Sequence, residues 1–355
     1  MIGRPRPAVS ALPAYRPGRS AEMAEREHDI TDAIKLASNE LPFGPLPSVT
    51  AAIAAAAAET HLYADHRAEA LRAELATRNG VAADQVMVGA GSVGLLQQLA
   101  LTYLDPGDRV VFGWPSFEAY PVFAALVGAE VVRVPLVDHT NDLAAHADAI
   151  DDRTKLVMIA NPNNPTGTAV GLGDVATLLD RVPPDCLVVL DEAYREFVTM
   201  ESLGDPMPLL AEHPNLIILR TFSKAHGLAS LRVGYGFAHP EVVTEIDKTL
   251  VPFIVNGVGQ AAALASLAAR DEMGDRVHQV VLERSRVIAR LAELGHEVPD
   301  AQANFVWLPN GEEAAPLAER LERAGVVTRG FAGAGVRVTI STPEHNDRFL
   351  AALSS

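Results

Sequence analysis

Cysteine is the residue this chain almost lacks: its 355 residues include one, Cys186. A single thiol cannot close an intramolecular disulfide. Lying in the apolar run CLVVL, it reads as a buried thiol in a reducing compartment and not as a nucleophile. Positive charge is also scarce, since 29 basic residues against 45 acidic ones give a formal net charge of -16. Such a surface repels a nucleic-acid backbone or an anionic membrane, which leaves small molecules or protein partners. No apolar run approaches the length of a membrane span, and the first 20 residues hold no apolar segment of signal-peptide length. A cytoplasmic protein is therefore expected. There is no internal repeat, and no metal site is expected.

What the chain has in quantity is apolar sequence, with 48% hydrophobic residues. That supports a large core, and the length suits one large domain plus a smaller one. Residues 1–33, rich in Pro, Arg and Ala and without hydrophobic periodicity, read as an extended N-terminal arm. The alanine-rich run at 51–59 reads as a helix. From Ala64 onward helical patterning alternates with short apolar runs: QVMVGAG, DRVVFGW, EVVRVPL, KLVMIANP, CLVVLDEA and NLIILRTFS. Runs apolar on both faces suit a mostly parallel sheet covered by helices, so the class is α/β and ligands are expected at the carboxyl ends of the strands. After about Val251 a long helix-like stretch, Gly259 to Leu294, leads into the short strands NFVWLP and GVRVTIST. The expected division is an arm over 1–33, a large domain over 34–250 and a smaller α+β domain over 251–355, joined by part of the N-terminal segment. Glu283, Arg284 and Arg286 read as one solvated helix face.

The polar residues of interest stand at the strand ends. VGAGSVG, from Val88 to Gly94, is a turn whose free backbone N–H groups could hold a phosphate, or a packing turn. NPNNPTG, from Asn161 to Gly167, is a rigid loop presenting uncharged amides. VVLDEAYREF ends an apolar run in Asp191, Glu192 and Tyr194. A carboxylate there is costly unless a cation meets it, and a protonated ring nitrogen would suit; Asp191 alone could equally cap the next helix. RTFSKAHGLASLRVGY then brings together Ser223, Lys224 and Arg232. A lysine in an apolar setting can keep a neutral amine and form a Schiff base, and an arginine can hold phosphate or carboxylate with two prongs. The lysine and its acidic partner match a pyridoxal phosphate site.

The ordered motifs KLASNELPFGP, NPNNPTG, DEAYREF, RTFSKAHGLASLRVGY and GVRVTIST resemble the fold-type I, class II pyridoxal phosphate-dependent aminotransferases, and within them the histidinol-phosphate aminotransferase subfamily. The resemblance runs from about Tyr15 to the C-terminus. LASNELPFGPLPSV and VFGWPSFEAYP are most similar to the actinobacterial branch of aromatic amino acid aminotransferases. It implies a large pyridoxal phosphate-binding domain and a smaller one, and a homodimer with shared active sites. Lys224 would hold the cofactor and move the proton at the substrate α-carbon, and Asp191 would keep the pyridine nitrogen protonated. Tyr194 and Asn164 would hydrogen-bond the phenolic oxygen. Ser223, Arg232 and the backbone of Ala90, Gly91 and Ser92 would hold the phosphate, with Tyr63 reaching it from the neighbouring subunit. Trp114 stands where the family stacks an aromatic ring on the pyridine. Arg337 resembles the arginine that grips the substrate's acidic group, with Asn39 in the segment that closes over it.

The activity so implied is transfer of the amino group of an aromatic amino acid to 2-oxoglutarate. Histidinol phosphate is the alternative donor, for which Arg329 could add a second charge, and a non-catalytic pyridoxal phosphate-binding protein is a further alternative. Tyr15, Trp114 and Phe331 are candidate apolar walls, with the core as the expected place of Phe331. Two positions depart from the family pattern: His226 stands where relatives carry Tyr or Phe, and GAGSVG lacks the acidic residue that often follows the glycine turn.

Overall fold

The computed structural model describes residues 3–10, 12 and 18–354. Strands, numbered in chain order, are β1 Ile34–Lys35, β2 Val86–Ala90, β3 Arg109–Trp114, β4 Glu130–Pro135, β5 Thr154–Ala160, β6 Leu187–Asp191, β7 Leu216–Thr221, β8 Val233–Phe237, β9 Phe305–Leu308, β10 Val326–Val327, β11 Arg329–Phe331 and β12 Gly335–Thr339.

The apolar runs read from the sequence assemble into one seven-stranded sheet of order β2-β8-β7-β6-β5-β3-β4. From β7 to β4 every pairing is parallel, while β8 is antiparallel to both its neighbours. Alternate residues of one strand feed opposite cores: Val188 and Leu190 of β6 belong to one apolar cluster, Leu187 and Val189 to another. Helices cover both faces, so the two-sided apolar pattern is physically required. Because the five parallel strands run one way, their carboxyl ends share an edge. The reversed β8 begins at that same edge, immediately after Arg232.

Beyond this sheet, β11, β12 and β9 form a three-stranded antiparallel sheet, packed with helices Ala314–Arg323 and Arg270–Glu293. The early strand β1 pairs in parallel with the late strand β10, tying the N-terminal segment to the C-terminal part.

Three sequence expectations change. The arm is not extended throughout: Ala21–His28 is a helix whose N-cap, Ser20, accepts a hydrogen bond from the Met23 N–H at 3.2 Å. Glu22 in its first turn and Arg26 and His28 in its last complement the helix dipole, so local capping succeeds where periodicity is weak. The stretch from Gly259 to Leu294 is two helices, Gly257–Ala268 and Arg270–Glu293, because Ala269 leaves helical geometry and Asp271 and Glu272 start a new N-terminus.

Arg284 is the third case. It is buried, not solvated, and donates to the carbonyls of Phe197 and Ala303, both at 2.9 Å. It occupies the apolar stripe Val277, Val280, Arg284, Val287 and Leu291, which faces the core at helical spacing. Glu283 and Arg286 do pair with each other, at 2.6 Å. Among the described residues, no helix is long and apolar enough to cross a membrane, and no cluster of three or more His, Cys, Asp or Glu could hold a metal ion.

Candidate active site

A cleft of about 240 Å³ opens at the shared strand edge, between the seven-stranded sheet and β11–β12. Asp191 is the last residue of β6 and is almost fully buried. Its Oδ2 accepts a hydrogen bond from Tyr120 Oη at 3.0 Å. Its Oδ1 is buried without a hydrogen-bond partner among the described residues. Burial pushes the carboxyl up to about 6, against the stabilising pull of the Tyr120 hydroxyl and of the nearby Ala193 backbone dipole. A buried carboxylate oxygen without a hydrogen-bond partner is suited to a cationic one.

Lys224 follows β7 by three residues and lines the same cleft. Nζ donates to the carbonyls of Ser38 at 3.1 Å and Asn39 at 3.3 Å, and sits 5.7 Å from the centroid of the Tyr194 ring. Burial, then the Arg337 charge, lower its pKa to about 7. Near neutrality a large fraction of the amine is therefore unprotonated, and nucleophilic.

Next to it lies a cradle for an anion. Arg232 Nη1 donates to Ser223 Oγ at 3.1 Å and to the carbonyl of Ala229 at 2.8 Å. Ala90 caps the helix Gly91–Tyr103, whose first N–H groups lack intrahelical partners. Gly91 has φ 74°, and a Cβ there would collide with the Arg232 guanidinium. Gly234 in β8 likewise leaves room for the backbone of Gly91 and Ser92. Ser92 lines the cleft itself, and Ala90 and Gly91 form the backbone behind it.

Across the cleft, Arg337 of β12 donates from Nη1 to Asn164 Oδ1 and from Nη2 to the carbonyl of Ala37 at 2.6 Å. Its guanidinium lies over Phe305 and Phe331, 5.4 and 5.9 Å from their centroids. Asn39, buried at φ 54°, is held by Thr339 on β12 and donates from Nδ2 to Tyr194 Oη at 2.9 Å. Burial raises the Tyr194 pKa, opposed by the Arg337 charge and by this hydrogen bond. Arg329 of β11 pairs with Glu118 at 2.7 Å at the cleft wall.

Two sequence-derived candidates fall outside this cleft, and a third lines it against expectation. Trp114 does not line the cleft: it shares the pleat of β3 with Phe112, packs its ring against Phe112 at 6.2 Å and carries the Arg133 guanidinium at 5.1 Å. Phe117, three residues on, lines the cleft instead. Phe331, expected in the core, is half-buried and lines the cleft. Tyr63 is 85% exposed and stacks on Phe253 at 4.5 Å, outside this chain's cleft. Tyr15 lies outside the described residues. His226 is accommodated: its Nδ1 meets Ser266 Oγ at 2.7 Å, and burial lowers its pKa to about 4, so it is neutral.

Sequence reasoning missed Tyr120, Phe117 and the buried pair behind Asp191, in which Glu192 meets Arg220 at 2.8 Å and Arg195 at 2.6 Å. A signal for Tyr120 existed. Tyr120, Phe123 and Ala124 form the buried face of helix Ala119–Val127, and a buried tyrosine must find its hydroxyl a partner. The residues fit pyridoxal phosphate on three counts: the orphaned Asp191 oxygen suits a protonated ring nitrogen, the depressed Lys224 amine suits an aldehyde, and the Gly91–Arg232–Ser223 cradle suits a phosphate.

Residues 31–353 match the family described as aminotransferase class I and II. The chain is 52% identical over 345 residues to the aromatic amino acid aminotransferase of Thermobifida fusca (strain YX), covering 97% of this chain and 95% of that one. It is 49% identical over 346 residues to that of Streptomyces coelicolor, with 97% and 95% covered. Among solved structures, the histidinol-phosphate aminotransferase from Sinorhizobium meliloti, in complex with pyridoxal-5'-phosphate, is similar at a TM-score of 0.92 and 32% identity over 100% of this chain and 97% of that one. With the match running through both sheets and every strand-end motif of the cleft, the chain belongs to the aminotransferase class I and II family.

Proposed function

We propose that the protein is a pyridoxal phosphate-dependent aminotransferase that moves the amino group of phenylalanine, tyrosine or tryptophan to 2-oxoglutarate, giving the aromatic 2-oxo acid and glutamate. The observation that carries it is the pairing, in one cleft, of a depressed lysine amine with a buried carboxylate oxygen that has no partner. Relatives at 52% and 49% identity, named aromatic amino acid aminotransferases, support the choice of donor.

When bound, the cofactor supplies an aldehyde and an electron-accepting ring. The chain's own residues supply the rest. Lys224 would hold the cofactor's aldehyde and would take and return the proton of the substrate α-carbon. Asp191 Oδ1 would hold the proton on the ring nitrogen, with Tyr120 fixing the carboxylate from the other side. Tyr194 and Asn164 would hydrogen-bond the phenolic oxygen. Arg232, Ser223 and the helix N-terminus at Ala90, Gly91 and Ser92 hold the phosphate. Arg337 binds the substrate carboxylate, with Arg329 nearby, while Asn39 holds the closing segment and Phe117 and Phe331 exclude water.

The same proposal includes a homodimer, in which the exposed Tyr63 reaches the phosphate of the neighbouring subunit, a cytoplasmic location, and the division at 33/34 and 250/251. Tyr63, Leu62, Val251 and Phe253 are large exposed apolar residues, which supports a contact there. One observation favours a second donor, histidinol phosphate: two arginines, Arg329 and Arg337, face the cleft together. Single-turnover spectra of the holoenzyme with phenylalanine, tyrosine and histidinol phosphate test the choice. Rapid bleaching of the bound cofactor's visible band by the aromatic acids is expected; bleaching by histidinol phosphate alone would overturn the aromatic assignment.

A further inference from the structure

Arg329 and Arg337 are direct register partners on β11 and β12. In an antiparallel pair, opposed residues project from the same face, and like charges so placed repel. Both guanidiniums lie 5.9 Å from the centroid of the Phe331 ring, and both line the cleft. Two cations side by side match a phosphate dianion better than a carboxylate. A third group changes the count. Glu118, at the start of helix Ala119–Val127 on the opposite wall, lines the cleft and engages Arg329 at 2.7 Å, while its own side chain stays 47% exposed to solvent.

We infer that Glu118 is a specificity-determining residue: by neutralising Arg329 it reduces the subsite at Arg337 from one suited to a dianion to one suited to a single carboxylate. This rests on the aminotransferase reading above and deepens it. Arg337 is left as the cation that meets an amino acid's carboxylate. A phosphate monoester would have to displace Glu118 from Arg329 or accept its charge nearby. The same ion pair spans the cleft wall between the two sheets, so a monoanionic substrate can bind with the pair intact.

The test uses the holoenzyme, so that the cofactor's own phosphate site is filled. Binding of 3-phenylpropionate, a monoanion, and of phenyl phosphate, a dianion in mildly alkaline buffer, is measured by calorimetry for the parent protein and for Glu118→Gln. The variant is expected to shift the ratio of affinities toward phenyl phosphate by about tenfold, the order for one unit charge acting on a dianion in a solvent-reached cleft. The kcat/KM ratio of histidinol phosphate to phenylalanine should move the same way. In an Arg329→Gln background the effect of Glu118→Gln should shrink, because the charge it neutralised is gone. An unchanged affinity ratio, or a shift undiminished without Arg329, overturns the inference. If the ratio moves but the parent protein transfers the amino group of neither donor, the charge-matching role stands and the donor assignment falls.

Discussion

Asp191→Asn separates the cost of burying this carboxylate from its use. In the protein without cofactor the side chain is enclosed, one oxygen is satisfied by Tyr120, the other has no hydrogen-bond partner among the described residues, and the pKa rises from 3.8 to about 6. A shift of about two units corresponds to about 3 kcal/mol of differential proton binding between folded and unfolded chains. The sign follows from the direction of the shift. A carboxyl whose folded pKa is raised contributes stability below its unfolded pKa and loses it as pH climbs through the folded value. About half of the total, roughly 1 to 2 kcal/mol, is lost between about pH 5 and pH 8. Asparagine does not titrate, so the buried amide adds a cost that does not change with pH. The measurement is calorimetric Tm of cofactor-stripped parent and variant across that window. An unfolding entropy near 2.1 cal/mol/K per residue over this chain gives about 0.7 kcal/mol per degree, so the variant's Tm should gain about 2 °C on the parent's as pH rises. With cofactor present the order reverses: the parent should gain more Tm on saturation, because its carboxylate has a cation to hold. A Tm difference that is flat with pH would refute the claim that Asp191 is a desolvated carboxylate waiting for a positive partner.

The Lys224 amine should be modified by a trinitrobenzenesulfonate pulse in cofactor-stripped protein with a midpoint at about pH 7, well below that of an ordinary lysine; the competing amines are Lys35, Lys155, Lys248 and the α-amino group, which peptide mapping separates from Lys224, and a midpoint near 10 would remove the basis for a neutral amine. Arg232→Lys keeps the charge but loses the fork that joins Ser223 to the cradle, and should weaken cofactor binding about tenfold in a fluorescence titration; an unchanged affinity would show that the phosphate is held elsewhere. Gly91→Ala forces a side chain into left-handed backbone and against the Arg232 guanidinium, so a loss of at least about 1 kcal/mol in stability is expected together with weaker cofactor binding. Unaltered denaturation with normal cofactor affinity would exclude the close approach on which the cradle depends.

The part of this site that was legible in the sequence is the part where a polar residue interrupts an apolar strand. β6 and β7 are buried at every position, so Asp191 and the Ser223–Lys224 pair stand out where their runs end. Arg232 was harder. It precedes the one strand that runs against its neighbours, and its nearness in sequence to Ser223 and Lys224 was what suggested that it belongs at the same edge. Tyr120 was hard to assign for a different reason. Its contact with Asp191 spans 71 residues, and its own helix gives only the generic signal of a buried aromatic. The choice between Trp114 and Phe117 was decided by the pleat of β3, which sends Trp114 to the side of Phe112, a register that composition and motif do not reveal.

Arg284 shows the reverse failure, since its place in an apolar stripe at helical spacing was readable and the charge of its neighbours obscured it. The Arg329–Glu118 pair marks where the residue pattern runs out altogether. Its members are 211 residues apart and meet where β11 of the C-terminal sheet lies over the strand ends. A motif can report that a site has an arginine. Whether that arginine meets the substrate as a full charge or as half of an ion pair depends on which wall of the cleft faces it, and so substrate choice within one family is written in contacts between the two sheets more than in the motifs of either.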